Sequence, residues 1–176
     1  MDRSELPDLA PLGLSARRLD QNDQARLAAL CRTCSDFFEL VAGRAGSEEI
    51  ADELLSLAPP NVASEKKFVV GFERAGSLVG VVDLIDGFPE PGGWYVGILL
   101  LAPGERSQGL GHALWVSLER WLFGRRAAAV RLIVQEQNPG AMRFWRSLGF
   151  DTEAKVQQLL HGRMNQGWRL AKRFPS

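Results

Sequence analysis

The sequence predicts an α/β fold of about seven strands and about four helices, and three observations carry the prediction. From Lys66 the hydrophobic period changes from helical to extended. Two strongly apolar extended runs, 94–102 and 128–135, are each followed by a helical stripe. A turn holding two glycines joins the first of these runs to its helix.

The elements follow in order. Residues 1–13 read as an irregular N-terminal segment, and LSARRLD, 14–20, as a first short strand. Asp20 or Asn22 can cap the next helix, in which Ala25, Leu27, Leu30, Cys31 and Cys34 keep an approximate helical spacing. After FFEL and the turn-like GRAG, Ser47 caps a second helix, SEEIADELLSLA, whose first turn holds Glu48 and Glu49 where the helix dipole favours negative charge. Pro59 and Pro60 end it. KFVVGFERAG and SLVGVVDLIDG form an antiparallel hairpin around Ala75–Gly76. The loop DGFPEPGG leads to WYVGILLLA, whose continuous apolarity predicts burial on both faces. Leu110, Leu114, Leu118, Trp121 and Leu122 then mark one face of a helix ending near Gly124, and AAVRLIVQ is a buried strand. Asn138 caps the following helix, Pro139 takes its first position, Ala141, Phe144, Trp145 and Leu148 form its stripe, and Gly149 closes it. Extended segments at about 152–160 and 167–174 finish the chain.

At 176 residues and 45% apolar content the chain matches one domain with a real core, spanning 1–176. Lysine plus arginine and aspartate plus glutamate both number 21, so no net field draws the protein to nucleic acid or an anionic membrane. The opening MDRSELPDLAPLGL places acids and prolines where a secretory peptide needs a basic end and an apolar stretch, and no run approaches membrane-spanning length. A cytoplasmic protein is expected. The two cysteines form CRTC, but the two histidines, His112 and His161, make no second ligand pair for zinc, and a redox CxxC opens a helix rather than lying deep in one. Cys31 and Cys34 therefore read as small, partly buried residues, and no metal is expected.

The stretch ERSQGLGHAL, 105–114, poses the chemical question. A strand that enters a side-chain-free turn at Gly109 and Gly111 and then starts a helix points backbone N–H groups and the helix dipole at one spot, which suits a phosphate. Arg106 can add a forked charge to the same anion. The nucleotide P-loop needs a lysine after its second glycine, and none is here. The dinucleotide fingerprint needs glycine or alanine at 114, where Leu114 stands. A glycine turn without ligand also stays open.

The segment LLLAPGERSQGLGHAL, followed some 20 residues later by VQEQNPGAMRFWRSLGF, resembles the GNAT superfamily of acyl-CoA-dependent N-acyltransferases. Arg106, Gly109 and Gly111 fit its core motif; Asn138, Ala141, Phe144–Trp145 and Gly149–Phe150 fit its second signature. The resemblance implies a mixed central sheet with a splayed parallel pair, strands 94–102 and 128–135, whose slot takes the thioester of acetyl-CoA. It implies that Leu99 and Leu101 offer main-chain groups to the pantetheine arm. Arg106, Ser107, Gln108, Gly109, Leu110, Gly111 and His112 would hold the pyrophosphate, with Asn138 near the arm or the thiol. The activity implied is direct transfer of an acetyl group to a primary amine on a small molecule, protein or peptide. Dimers are common in such folds, so a homodimer is a candidate state. A non-catalytic acyl-CoA binding or sensing domain and a nucleotide-phosphate binder are the other readings.

Transfer to an amine requires a neutral nitrogen, which for a lysine-like amine costs roughly 4 kcal/mol at pH 7. Candidate bases are Asp83, Asp86, Glu90 and Glu136; Asp83 stands out because it interrupts VVDLI. Tyr95, the single tyrosine, can orient a water or donate a proton. The family often has a tyrosine at 145 to protonate the leaving thiolate, whereas Trp145 cannot surrender its indole proton. The acceptor is expected to meet CSDFFELVAG and DGFPEPGG, with Phe37, Phe38 and Phe88 as an apolar wall and Asp36, Glu39 and Glu90 tolerating a cation.

Overall fold

The structure, a computed structural model, describes residues 5–175. Of the N-terminal segment 1–13, residues 1–4 lie outside the described residues, and Ala10–Leu12 form one 3-10 turn. The elements are β1 (Ser15–Arg18), α1 (Gln24–Thr33), α2 (Ser35–Ala42), α3 (Glu48–Ser56), β2 (Lys67–Arg74), β3 (Ser77–Asp86), β4 (Gly93–Leu101), α4 (Leu110–Gly124), β5 (Ala129–Gln135), α5 (Pro139–Ser147), β6 (Asp151–Leu160) and β7 (Arg163–Arg173). One mixed sheet runs β1-β2-β3-β4-β5-β7-β6, antiparallel throughout except for β4 beside β5.

The sheet separates two apolar layers because alternate strand residues point to opposite faces. Val70, Phe72 and Val82 meet Leu114, Trp115, Leu118 and Leu122 of α4 and Trp145 of α5. On the other face Val69 and Val81 meet Leu27, Leu30, Phe38, Ile50 and Leu54 of α1–α3. Each large side chain so buried contributes about 1.5–3 kcal/mol. β4 changes face partway along: Trp94 and Val96 join the α4–α5 layer, whereas Ile98 and Leu100 join the other. The cause is a bulge, since Asp83 opposes Ile98 and Leu84 opposes Val96, leaving Gly97 as the extra residue.

The helix expected before GRAG is two helices. At Cys34 the backbone leaves helical geometry, with φ −102° and ψ 27°, and its N–H bonds to both Leu30 and Cys31 carbonyls. Ser35 locks the corner: its hydroxyl donates to the Arg32 carbonyl at 2.9 Å and accepts from Gly46 N at 3.1 Å. A Cβ at Gly46 would lie 1.9 Å from the Cys31 carbonyl oxygen, so the return of the chain onto α1 demands glycine. Among the described residues five α-helices result where about four were expected. Both cysteines are fully buried, and burial pushes the Cys31 thiol up to about 12 and the Cys34 thiol upward, which makes them inert packing groups.

The expectation that β4 is buried on both faces requires correction. Tyr95, Gly97, Leu99 and Leu101 are only half-buried, alternating with buried neighbours. They wall cavities instead of packing into a core, and an apolar cavity wall carries the same sequence pattern as a buried face.

Candidate active site

Parallel pairing between β4 and β5 runs from Gly93 and Ala129 to Val96 and Leu132 and goes no further. Beyond that point the strands splay, and two cavities open that share Phe37, Leu99, Asn138, Ala141 and Trp145 in their walls.

The first, of about 510 Å³, lies along the end of β4 and over the start of α4. Its wall includes Leu99, Leu101, Arg106, Ser107, Gly109, Gly111, His112 and Asn138. Gln108 is exposed and outside this wall, and Leu110 packs against the α4–α5 layer. Gly109 takes φ +76°, the left-handed region where a side chain is strained, and a Cβ there would meet nothing within 4 Å. No side chain caps α4 and no acid stands in its first turn. The N-terminal N–H groups and the dipole are thus presented to open space, the arrangement an anion fills. A Cβ at Gly111 would reach the Phe144 ring at 3.4 Å, an ordinary contact. A slot with apolar leucines at one end and a bare helix terminus at the other suits an elongated ligand with an apolar arm and an anionic end.

Arg106 is already engaged. Its Nε donates to the Leu101 carbonyl at 2.8 Å, and its Nη1 and Nη2 donate to Asp36 at 2.6 and 3.4 Å. The guanidinium hydrogen bond holds the Asp36 carboxyl below its ordinary value. The Leu101 carbonyl also accepts from Cys34 Sγ at 3.4 Å, so what Leu101 adds to the slot is its side chain rather than that main-chain group. Asn138 accepts from Ala141 N at 3.1 Å as the α5 cap, which fixes it between the cavities. Trp145 is 7% exposed and edge-on to Trp115 at 4.8 Å, a packing residue with one side on both cavities.

The second cavity, about 310 Å³, carries Asp83 and Tyr95 on its wall. Asp83 is buried and accepts from Lys67 Nζ at 2.8 Å, with side-chain exposures of 11% and 7%. Burial raises the Asp83 carboxyl above its ordinary value against the pull of Lys67. The Gly97 bulge exists beside it: a Cβ at 97 would stand 2.6 Å from Asp83 Oδ2. Burial, then the Asp83 charge, pushes the Tyr95 phenol up to about 12, so it stays protonated at neutral pH. Gln135 Nε2 donates to Gln158 Oε1 at 2.7 Å, which turns the Gln158 amide to donate to Tyr95 at a long 3.5 Å.

The remaining carboxylate candidates lie elsewhere. Asp86 pairs with Lys66 at 2.8 Å, Glu136 with Lys155 at 2.9 Å and Glu90 with Arg131, and none lines either cavity. Phe37 walls both cavities, Phe38 is buried beneath, and Phe88 stands edge-on to Tyr95 at 5.6 Å. Asp36 and Glu90, expected to tolerate a cation, are neutralised by the protein's own arginines. Sequence reasoning missed Lys67, Gln135, Gln158, Glu53 and His161, all at or beside the second cavity. Only His161 left a signal, as one of two histidines, standing before a glycine at a hairpin turn. Among the described residues no group of three or more His, Cys, Asp or Glu is placed to hold a metal, and no helix is long and apolar enough to cross a membrane.

The sequence matches the model of the acetyltransferase (GNAT) family over residues 29–150. Among curated proteins none matches it significantly. Solved structures share the fold at low identity. An acetyltransferase from Thermus thermophilus superposes with a TM-score of 0.72 at 19% identity, covering 92% of this chain and 97% of its own. Spermidine N-acetyltransferase from Vibrio cholerae, in complex with CoA and spermine, gives 0.69 at 20% identity, with 92% and 96% covered. The ribosomal-protein-S18-alanine N-acetyltransferase of Escherichia coli gives 0.66 at 16%, with 91% and 93% covered. With the family model spanning more than half of its length, the chain belongs to the acetyltransferase (GNAT) family and is an acyl-CoA-dependent N-acyltransferase.

Proposed function

We propose that the protein transfers an acetyl group from acetyl-CoA to a primary amine by direct attack, with no acyl-enzyme. The observation that carries this reading is the junction of the two cavities at Phe37, Leu99, Asn138, Ala141 and Trp145. An uncapped helix terminus suited to a diphosphate opens on one side, and buried polar side chains line the other. The thioester supplies an activated acyl group.

The chain's own residues do the rest. The unbonded backbone N–H groups at the start of α4 face the pyrophosphate, with Gly109 allowing close approach and the Arg106 side chain beside it, its own amide being spent on the Pro103 carbonyl at 3.3 Å. Leu99 and Leu101 flank the arm, and Asn138 lies at its inner end. β4 groups past Val96, left without a β5 partner, are available to the thioester carbonyl. Tyr95, protonated at neutral pH and with its oxygen held by Gln158, keeps its own hydrogen to donate toward the leaving sulfur or a water. Tyr95 thus offers the proton donor that Trp145 cannot be. Asp83, clamped and neutralised by Lys67, gives the cavity that receives the acceptor a fixed polar wall rather than a net charge.

The acceptor enters over Leu57 and Leu159, 63% and 66% exposed on the rim, so an amine with an apolar body fits better than a bare one. Thiol release from acetyl-CoA against a panel of small amines, amino acids and lysine peptides tests the reading. Turnover with at least one amine supports it. Tight CoA binding without turnover on any amine overturns it.

A further inference from the structure

One group in the second cavity has no part in this scheme. His161 sits in the turn between β6 and β7 at φ +47°, followed by Gly162 at +85°, a left-handed pair that favours asparagine or glycine at its first place. Its side chain is 6% exposed and forms part of the cavity wall with Tyr95 and Asp83. Nδ1 is hydrogen-bonded to Glu53 of α3, while Nε2 is buried with no hydrogen-bond partner. A buried ring nitrogen without a partner is costly unless it serves something. Glu53 is itself steadied by Arg44, Nη2 at 3.4 Å from Oε1.

We infer that His161 is the general base of the reaction and Glu53 its positioning residue, an inference that rests on the transferase reading above. An ionised carboxylate only accepts hydrogen bonds, so the Nδ1 facing Glu53 carries the ring hydrogen. The neutral ring then has its lone pair on Nε2, on the side left unpartnered. Asp83 is less suited to the same task, because its carboxylate is clamped by Lys67. The charged and titratable groups around His161 are Glu53 with Arg44 from the α3 side, Tyr95 from β4, Asp83 with Lys67 from β3 and β2, and Arg163 at the far end of the turn.

The step balances as follows. The ammonium form of the acceptor gives one proton to His161 Nε2. The freed nitrogen lone pair forms the bond to the acetyl carbon, and the carbon–sulfur bond breaks with its electrons on sulfur. The second proton of the nitrogen reaches the thiolate through Tyr95 or water, giving CoA thiol and the amide, and His161 returns its proton to solvent.

The test uses the full chain, acetyl-CoA and the amine of highest turnover from the panel. His161→Gln removes the base; His161→Asn, better suited to the left-handed turn, does so with less backbone strain. Both are expected to lower kcat about 100-fold or more at pH 7, with KM for acetyl-CoA within about twofold of wild type. Because the missing step is deprotonation, their deficit shrinks about tenfold per pH unit as pH approaches the amine's own pKa, and added imidazole restores part of the rate. Glu53→Gln gives a smaller loss of the same pH form. Rates within about threefold of wild type for both His161 variants, or a deficit equal at every pH, overturn the assignment while leaving the transferase reading intact. Absence of turnover by the wild type on every amine overturns both.

Discussion

The two cavities that meet at Leu99 and Asn138 are built in opposite ways. The slot over α4 is made of main chain: a glycine at φ +76°, an uncapped helix start and a strand end. The second cavity is made of side chains from six elements: Glu53 from α3, Lys67 with Asp83 from β2 and β3, Tyr95 from β4, Gln135 from β5, and Gln158 on β6. His161 joins them from the turn that follows β6. A site built from main chain draws little on neighbouring side chains for its shape. A cavity of buried, mutually dependent polar groups is set by partners inside the protein, so its disruption falls on stability as well as on catalysis.

The largest effect that breaks this contrast is expected at Asp83. Asp83→Asn leaves the Lys67 ammonium buried without a counter-charge, and a loss of about 3–5 kcal/mol in urea unfolding follows. The double variant Asp83→Leu/Lys67→Met is expected to recover most of it, because the desolvation of both charges disappears with them. The pH dependence has a definite sign. Burial raises the Asp83 carboxyl, so the native state holds that proton more tightly than the unfolded chain. Stability from this group is present below the ordinary carboxylate range and falls as pH rises through the raised value, and the double variant lacks that slope. An unfolding free energy for Asp83→Asn equal to wild type would show the pair to be solvated.

Next in size is Gly109. Gly109→Val forces a branched side chain into the left-handed region, costing roughly 1–2 kcal/mol, and puts its Cβ into the open space assigned above to the proposed diphosphate. Calorimetry is expected to show CoA binding weakened about tenfold or more, while Tyr95→Phe leaves CoA affinity within about twofold. Equal CoA affinity in Gly109→Val and wild type would move the diphosphate off this turn.

A third test compares two helix starts. At α3, Ser47 Oγ accepts from Ile50 N at 3.2 Å and Glu48 and Glu49 occupy the first turn, so that terminus is satisfied within the protein. At α4 nothing of the kind exists. Ser47→Ala is therefore expected to cost about 1 kcal/mol in thermal or urea unfolding and nothing in CoA affinity, the reverse of the Gly109 variant.

The same difference in construction decides what could be read in the sequence. The slot was legible because its parts are local: Gly109 and Gly111 lie two residues apart, and Asn138 caps the helix it precedes. The seven strands, the hairpin at Ala75–Gly76 and the Ser47 cap were legible for the same reason. The dyad was not, because Glu53 and His161 are 108 positions apart and only the β7 return beside β5 and β6 brings the turn over α3. The break at Cys34 escaped because no glycine or proline marks it; a serine side chain and the distant Gly46 enforce it. In β4 a period-2 alternation was hidden because the cavity-facing residues are as apolar as the buried ones.

The smallest expected effect lies at the seam between the cavities, where Arg106 is shared. Its guanidinium holds Asp36 on α2, at 63% side-chain exposure, while standing in the wall of the slot. On the proposed reading a diphosphate in the slot would compete with that carboxylate for the same N–H groups. Exposed pairs of this kind contribute only about 0.2–1 kcal/mol, which bounds the gain from removing the competitor: Asp36→Asn is expected to tighten CoA binding by no more than about fivefold. The sign of its pH dependence follows from the pair. Arg106 keeps the Asp36 carboxyl below its ordinary value, so the competition is complete above the ordinary carboxylate range and fades only as pH falls through that lowered value. Calorimetric affinities for wild type and Asp36→Asn should therefore differ by a constant factor between pH 6 and 8. Weaker binding in Asp36→Asn would mean that the carboxylate orients Arg106 for the phosphate rather than withholding it.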